Sequence, residues 1–333
     1  METRTLGASG PRTSLIGLGA MGMSGLYGAA DEAESIATVH AALDAGVTLV
    51  DTGDFYGMGD NEMLLREALR GRPRDSYQLS VKFGAQRGPD GAWLGYDASP
   101  NGLKTALAYS LRRLGTDYVD VYRPARLDPR VPVEETAGAI KELIEAGYVR
   151  YLGLSEVGVE TIRRAHAVQP VSDLQIEYSL FSRGLEAAIL PVLRELGIGL
   201  TAYGVLSRGL LSGHWSAQRS ADSADFRNYS PRFQAGNVQR NLELVEELRK
   251  VAEAKGATVA QLAIAWVAAQ DPLIVPLVGA RRRDRLAEAL GAVDIELSAE
   301  DLAAIERAVP AGAASGDRYA AEQMAMLDSE KSA

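Results

Sequence analysis

The chain has 333 residues, 47% of them hydrophobic, and its 44 acidic and 35 basic residues give a formal charge of -9. No stretch concentrates Lys and Arg as a nucleic-acid surface requires, so we expect no nucleic-acid partner. No run approaches the roughly 20 apolar residues that span a bilayer, so we expect no membrane partner and a cytoplasmic location. There is no cysteine, and the histidines His40, His166 and His214 are scattered, so we expect no metal site and no disulfide.

The N-terminal segment predicts a β-hairpin, because "RTLGASGPRTSLI" has two short runs around a Gly/Ser/Pro turn. The next stretch, "IGLGAMGMSG", contains Gly17, Gly19 and Gly22 in the spacing G-x-G-x-x-G. A dinucleotide-binding turn of that type opens a helix at once, but Gly25 and Gly28 prevent a helix before Asp31. The stretch therefore predicts a glycine-rich loop, which either allows close backbone approach to a ligand or is a purely structural tight turn.

A helix followed by a short apolar strand recurs along the chain. Residues 31–46 begin with Asp31 as helix cap and end at Gly46, and the run "VTLVD" follows. Residues 99–115 repeat the pattern, with Ser99 as cap and Gly115 as stop before "YVDVY". Two further copies surround Gly147 and Gly197. Apolar strands that alternate with helices indicate a parallel sheet covered by helices.

Eight such strands are predicted, near residues 15–18, 47–51, 77–82, 118–122, 149–154, 172–176, 198–202 and 273–277. Eight strands, each followed by a helix, favour an α/β fold of the (β/α)8 TIM-barrel type over an open sheet. We expect one barrel domain over residues 1–310, with the N-terminal hairpin on its floor and long loops at its C-terminal face. Residues 311–333 form a C-terminal tail with a possible short amphipathic helix, which either folds over the pocket or hangs free.

Polar side chains stand at or near the carboxyl ends of the predicted strands: Asp51, Lys82, Ser155, Gln175 and Tyr203. Taken alone, each of these side chains is more simply explained as a turn cap, a member of a surface ion pair or a packing residue. In a barrel, however, strand ends converge on the face that carries the chemistry. A lysine within an apolar strand needs a carboxylate or phenol partner to offset its desolvation.

Asp51 is the obvious partner of Lys82, because it lies one strand away, and Tyr56 follows it on the loop "DTGDFYG". We expect the cation and its hydrogen-bond network to lower the pKa of the Tyr56 phenol from about 10 toward the working pH. Such a phenol is suited to donate a proton during carbonyl reduction.

The chain resembles the aldo-keto reductases along nearly its whole length. "GVTLVDTGDFYGMGDNEMLLREAL" is similar to the family's signature around its catalytic Asp and Tyr, and "SVKFG" to the segment with its catalytic Lys. The resemblance implies a TIM barrel that reduces a small-molecule aldehyde or ketone with NADPH, with Asp51, Tyr56 and Lys82 as catalytic residues.

Other segments resemble the family's cofactor site. "YLGLSEVGVETI" and "LQIEYSL" imply that Ser155 and Gln175 contact the nicotinamide carboxamide, and "TAYGVLSRGLL" implies that Tyr203 stacks on the nicotinamide. "PLVGARRRDRLAEAL" resembles the adenosine end, which implies NADPH over NADH, although this basic run could also be a solvated helix start. The remaining implied cofactor contacts are Gly19, Ala20, Met21, Gly204, Leu206, Arg208, Gly209 and Gly279, with Arg281 and Arg285 for a 2'-phosphate and Glu288 for the adenine.

One departure from the family lies in "DYVDVYRPARLDP", where Ala125 stands in place of the usual catalytic His. Either Arg123 or Arg126 turns inward as a hydrogen-bond donor, or Ala125 leaves room for a water or a bulkier substrate, and we favour the second hypothesis. The run "ARLD" also resembles the pyridoxal-reducing members, which makes a vitamin B6 aldehyde one candidate substrate. Arg123, Ala125 and Arg126 are thus candidate substrate-pocket residues, and the aromatic Trp93, with Tyr96 and Trp215, is a candidate pocket wall.

Two other functions remain open at this stage. The missing His is compatible with an NADPH-binding regulatory or sensor subunit that has little turnover. A barrel lyase or isomerase could instead use Lys82 as a Schiff-base nucleophile.

Overall fold

The computed structural model describes residues 1–216, 225–234 and 236–331. In chain order its strands are β1 (Thr3–Thr5), β2 (Arg12–Ser14), β3 (Gly17–Gly19), β4 (Leu49–Gly53), β5 (Gln78–Phe83), β6 (Ala85–Arg87), β7 (Trp93–Tyr96), β8 (Val119–Pro124), β9 (Val149–Ser155), β10 (Val171–Glu177), β11 (Gly199–Tyr203) and β12 (Ile274–Gly279). Its α-helices are α1 (Glu32–Asp44), α2 (Asp60–Leu69), α3 (Pro100–Leu114), α4 (Val133–Glu145), α5 (Val159–Val168), α6 (Ile189–Leu196), α7 (Asn237–Ala254), α8 (Val259–Ala269), α9 (Arg283–Leu290), α10 (Ala299–Ala308) and α11 (Ala321–Ala325).

Eight parallel strands close into a barrel in the order β3-β4-β5-β8-β9-β10-β11-β12, and β12 pairs back onto β3. Each of these strands overlaps one of the eight predicted segments, so the predicted (β/α)8 TIM barrel is confirmed. Strands β4, β8 and β10 are buried along their whole length because the barrel interior covers one face and the helices cover the other.

The helix boundaries follow the predicted caps. In α1, the Asp31 side chain accepts a hydrogen bond from the backbone N–H of Glu34. In α3, the Ser99 side chain accepts from the N–H of Gly102, and Gly115 ends the helix at φ 67°, a left-handed conformation that glycine adopts without strain.

The N-terminal hairpin closes the barrel floor, as predicted. Strands β1 and β2 pair antiparallel, and the Ala8 N–H donates to the carbonyl of Gly197, just before β11. Leu6 forms a small buried cluster with Leu49 and Val275 from two barrel strands. With the floor sealed, access to the barrel interior is from the carboxyl ends of the strands.

The tail folds back onto the barrel over its described residues, and residues 332–333 lie outside the described part. Its short helix α11 forms, and Leu327 is buried. The Asp328 carboxylate accepts hydrogen bonds from the Gly158 N–H at 2.9 Å and the Thr161 hydroxyl at 2.7 Å, so it caps helix α5. None of the helices among the described residues is long and apolar enough to span a bilayer.

Candidate active site

A cavity of about 490 Å³ opens at the carboxyl ends of the barrel strands. It extends from residues at the ends of β4 and β5 to the segment that follows β12. The predicted site residues that line it are Gly19, Met21, Asp51, Tyr56, Lys82, Arg126, Ser155, Gln175, Tyr203, Gly204, Leu206, Arg208, Gly209, Trp215, Gly279, Arg281, Arg285 and Glu288.

Asp51, Lys82 and Gln175 form a closed buried network. The Lys82 ammonium donates to Asp51 Oδ1 and, at 2.9 Å, to Gln175 Oε1, while Gln175 Nε2 donates to Asp51 Oδ2 at 2.8 Å. The predicted pairing of Lys82 with Asp51 is therefore confirmed. Both polar ends of the Gln175 amide serve this network, which gives Gln175 a structural role that the resemblance did not imply.

Burial and charge act in opposite directions on Lys82. Desolvation lowers the pKa of its ammonium, and the adjacent Asp51 carboxylate counteracts this effect. Because Asp51 neutralises the ammonium at contact distance, little positive field is left to act on neighbouring groups.

Tyr56 stands at the start of a short 3-10 turn, Tyr56–Gly59, directly after β4. Lys82 Nζ lies 5.3 Å from the centre of its ring, and Phe55 packs edge-on at 4.8 Å. The side chain is 9% exposed, and its hydroxyl has no hydrogen-bond partner among the described residues. The hydroxyl of Tyr56 is therefore available to a molecule in the cavity.

The expected lowering of the Tyr56 pKa is wrong for this structure. Burial, together with the neighbouring Asp51 carboxylate, raises the pKa of the phenol well above 10. The physical reason is the pairing of Lys82 with Asp51: the cation is compensated, and the desolvation of the phenol dominates. Burial therefore favours the neutral, protonated form of the Tyr56 phenol.

Arg123 does not line the cavity and is not positioned as a substrate-pocket residue. It is fully buried inside the barrel, where its guanidinium donates to both carboxylate oxygens of Asp173, at 2.9 and 3.2 Å. Its Nη2 also donates to Ser80 Oγ at 3.0 Å, and Ser80 Oγ donates to Asp51 Oδ2 at 2.7 Å. Arg123 thus belongs to a second buried ion pair that supports the Asp51 network.

Four other predicted site residues, Ala20, Trp93, Tyr96 and Ala125, are also absent from the described cavity lining. Ala125 is 3% exposed, so it opens no space into the cavity, contrary to the hypothesis we favoured, and the adjacent Arg126 forms the wall. Ala20 is buried and uses its carbonyl to accept from Asn61. Trp93 lies on the two-stranded β6-β7 hairpin with 42% of its surface exposed, because the hairpin carries it away from the barrel mouth.

The sequence did not predict the residues that hold the tail against the site. Glu156, directly after Ser155, has a left-handed φ of 55° and is buried. Its carboxylate accepts two hydrogen bonds from Arg318 of the tail, at 2.7 and 2.6 Å, and one from the Tyr203 hydroxyl at 2.7 Å. Burial alone would raise the pKa of Glu156, but the Arg318 contacts outweigh it and lower the pKa to about 2.

Tyr319 also lines the cavity, and its hydroxyl lies 2.8 Å from the Tyr203 hydroxyl. In the sequence these tail residues stand more than 100 positions from their partners, and no periodicity or motif marks them. A tail that folds over the pocket was one of two open alternatives, and the described residues show that arrangement.

The loop after β11 has a strained backbone. Ser207 and Arg208 adopt positive φ angles of 46° and 55°, followed by Gly209 at 105°. Non-glycine residues in this region cost about 1–3 kcal/mol each and persist mainly where the surrounding structure requires them, often at ligand sites. Glycine is needed at 209 because its φ lies outside the range that L side chains reach easily.

The far end of the cavity carries several arginines. Arg281 donates to the carbonyls of Tyr27 and Gly28, and Arg285 pairs with Glu288 at 3.1 Å. Glu288 also accepts from His214 Nε2 at 2.9 Å, which places this histidine at the cavity wall. The arginine-rich end can bind the phosphate groups of an elongated ligand.

Asp54 gives a pH-dependent prediction. Its Oδ1 is buried without a partner among the described residues, and burial, reinforced by Glu62, raises the pKa of Asp54 to about 7. The unfolded carboxyl ionises near 4, so between about pH 4 and 7 the folded state binds the extra proton and stability falls as pH rises. We expect the free energy of unfolding of the wild type to fall between about pH 5 and 8 by about 1–3 kcal/mol more than that of Asp54→Asn.

Urea unfolding at the two pH values measures this difference. The matched control is Asp60→Asn, an exposed carboxylate on the same segment. Equal pH dependence of wild type and Asp54→Asn would show that Asp54 titrates normally.

Comparisons with known proteins agree with this geometry. Residues 15–310 match the model of the aldo/keto reductase family. A soybean (Glycine max) protein named "Probable aldo-keto reductase 1" is 40% identical over 317 residues, which cover 94% of this chain and 90% of the relative.

Solved structures give the same result. The glycerol dehydrogenase from Gluconobacter oxydans superposes with a TM-score of 0.83 at 28% identity, covering 92% of this chain and 94% of that one. A thermostable aldo-keto reductase in complex with the inhibitor epalrestat gives a TM-score of 0.73 at 26% identity, covering 92% of this chain and 100% of that one. The chain therefore belongs to the aldo/keto reductase family, as an NAD(P)H-dependent oxidoreductase that acts on carbonyl groups.

Proposed function

We propose that this protein reduces aldehydes or ketones to alcohols with NADPH, and that Tyr56 donates the proton to the carbonyl oxygen. The observation that carries the proposal is the unpartnered Tyr56 hydroxyl beside the Asp51-Lys82 pair, at one end of a cavity whose other end is rich in arginine. Bound NADPH would supply the hydride.

The elevated pKa of Tyr56 is compatible with this role. An alkoxide is a far stronger base than a phenolate, with a conjugate-acid pKa close to the 15.7 of water, so a neutral tyrosine can protonate it as it forms. A phenol whose neutral form is favoured by burial still carries the proton that it is to donate. The polar groups of the buried Asp51-Lys82-Gln175 network hold one another in place, and Lys82 Nζ lies 5.3 Å from the centre of the Tyr56 ring.

The arginines at the far end favour NADPH over NADH. We assign Arg281 and Arg285 to the 2'-phosphate and Glu288 to the adenine, because a cluster of guanidinium groups binds a phosphate well. Arg208, with the strained 204–209 loop, is assigned to the diphosphate, and Ser155 and Tyr203 to the nicotinamide. Gly19, Met21 and Gly279 also line the cavity, and we assign them to the cofactor.

A Schiff-base function for Lys82 is disfavoured. Its amine is engaged as an ammonium by Asp51 and Gln175, whereas a nucleophilic lysine requires a free neutral amine.

The test is oxidation of each nicotinamide cofactor, followed by absorbance, over a panel of aldehydes and ketones that includes pyridoxal. We expect turnover with at least one aldehyde and a higher kcat/KM for NADPH than for NADH. In Arg285→Ala the KM for NADPH should rise about tenfold or more, while the KM for NADH changes little. Tight NADPH binding without turnover on any substrate would instead indicate a regulatory subunit.

A further inference from the structure

We propose that Arg126 is an anion-recognition residue in the substrate end of the cavity, so that the preferred carbonyl substrate carries a carboxylate or phosphate group. The proposal rests on the proposed reductase function and extends it to a substrate class.

The described part of the chain gives Arg126 only two hydrogen-bond acceptors. Nη1 donates to the carbonyl of Ala125 at 2.6 Å, and Nη2 lies 3.4 Å from the Tyr319 hydroxyl. A guanidinium has five N–H donors and stays charged at every working pH, so most of its capacity is unused.

Four of the other arginines that line the cavity are better compensated than Arg126. Arg208, Arg227, Arg282 and Arg285 each form an ion pair with a carboxylate. Glu156, a carboxylate on the neighbouring segment, is already bonded to Arg318 and Tyr203 and does not reach Arg126 within salt-bridge distance. A partly buried cation without a counter-ion is costly, and a bound anion would remove that cost.

The position of Arg126 separates it from the two arginines that we assign to the 2'-phosphate of the cofactor. It follows β8, whereas Arg281 and Arg285 follow β12, and the two strands stand four places apart around the eight-stranded barrel. One of the two neighbours of β8 is β5, which carries Lys82. The Ala125 N–H donates to the carbonyl of Phe83 on β5. Arg126 therefore lies on the side of the cavity where the reacting carbonyl is expected.

The tail fixes the orientation of Arg126. The ring of Tyr319 lies 5.9 Å from its guanidinium and 4.4 Å from that of Arg208, and the Tyr319 hydroxyl also contacts Tyr203. Tyr319 is thus held on three sides and limits the directions that Arg126 can take. Arg126 and Tyr319 both line the cavity, so the Arg126 N–H groups without a protein acceptor are available to a ligand there.

The experiment compares 4-carboxybenzaldehyde with its methyl ester, which has similar size and no charge. We expect Arg126→Met to lower kcat/KM for the carboxylate about 10- to 100-fold, chiefly through KM, and to change kcat/KM for the ester by less than about threefold. Arg126→Lys should recover part of the loss because it retains the charge. Arg130→Met is the matched control, since that arginine pairs with Asp128 and is 73% exposed.

A binding measurement supplies a readout independent of turnover. Calorimetric titration of the NADP+-loaded protein with benzoate should show binding that Arg126→Met weakens about tenfold and that Arg130→Met leaves unchanged. Equal losses of kcat/KM on both aldehydes would overturn the proposal and identify Arg126 as a donor to the carbonyl oxygen. Unchanged kinetics of Arg126→Met with 4-carboxybenzaldehyde would also overturn the proposal. Reduction of the ester by all variants would leave the proposed reductase function intact.

Discussion

Replacing Tyr56 with Phe is expected to lower kcat/KM for aldehyde reduction about a hundred- to ten-thousandfold, because the substitution removes the proton donor and little else. The hydroxyl has no protein partner among the described residues, so its removal leaves no buried group unsatisfied. The ring remains packed against Phe55. The dissociation constant for NADPH and the free energy of unfolding should therefore stay close to those of the wild type.

Steady-state kinetics with a saturating cofactor, combined with fluorescence titration of NADPH, measure both quantities. The matched control is Tyr109→Phe, which removes the same atom from a tyrosine that is 59% exposed on α3. Turnover by Tyr56→Phe at the wild-type rate would remove Tyr56 from the mechanism.

Replacing Lys82 with Met is expected to have two effects at once. It leaves the Asp51 carboxylate buried without its cation, which costs about 3–5 kcal/mol of stability. It also frees the Gln175 amide and Asp51 to reorient, so we expect turnover to fall by at least about a hundredfold.

The double variant Asp51→Asn with Lys82→Met separates these effects. Removing both charges should recover much of the lost stability, because no isolated buried charge remains, but it should not restore turnover. Chemical denaturation and kinetics on the same samples give both quantities. The control Lys104→Met breaks an exposed pair with Glu142 and should cost less than about 1 kcal/mol. Full activity in the double variant would show that the charged pair has no part in the reaction.

The barrel and the Asp51-Lys82 pair could be predicted because both depend on local pattern. Helix caps such as Ser99 and stops such as Gly115 are short-range signals, and their repetition specifies the alternation of strands and helices. Asp51 and Lys82 lie on neighbouring parallel strands, where Gly53 pairs with Lys82, so strand order alone brings them to one end of the barrel.

The roles of the two arginines after β8 could not be predicted in the same way. Arg123 and Arg126 are three residues apart, and the sequence does not show that Asp173, fifty positions away, holds the first inside the barrel. Ala125 likewise looked like added space, but its burial depends on the path of the chain after β8. The pKa of Tyr56 was mispredicted for a similar reason. The pairing of Lys82 with Asp51 was predicted, but not that burial of the phenol would then dominate its pKa.

The tail was the least predictable part of the site. Arg318 and Tyr319 act through contacts with Glu156, Tyr203 and Arg126, each more than 100 residues away in the chain. Such long-range contacts arise from the closure of the fold and leave no periodic trace in the sequence.

Transfer of a deuterium label tests the central claim most directly. The enzyme would be given NADPH deuterated at either the 4R or the 4S position of the nicotinamide, together with an aldehyde that the panel identifies, and the alcohol would be analysed by mass spectrometry. We expect one deuterium on the carbinol carbon from one of the two labelled cofactors and none from the other. Alcohol formed without deuterium from either cofactor, or no alcohol from any aldehyde, would contradict it.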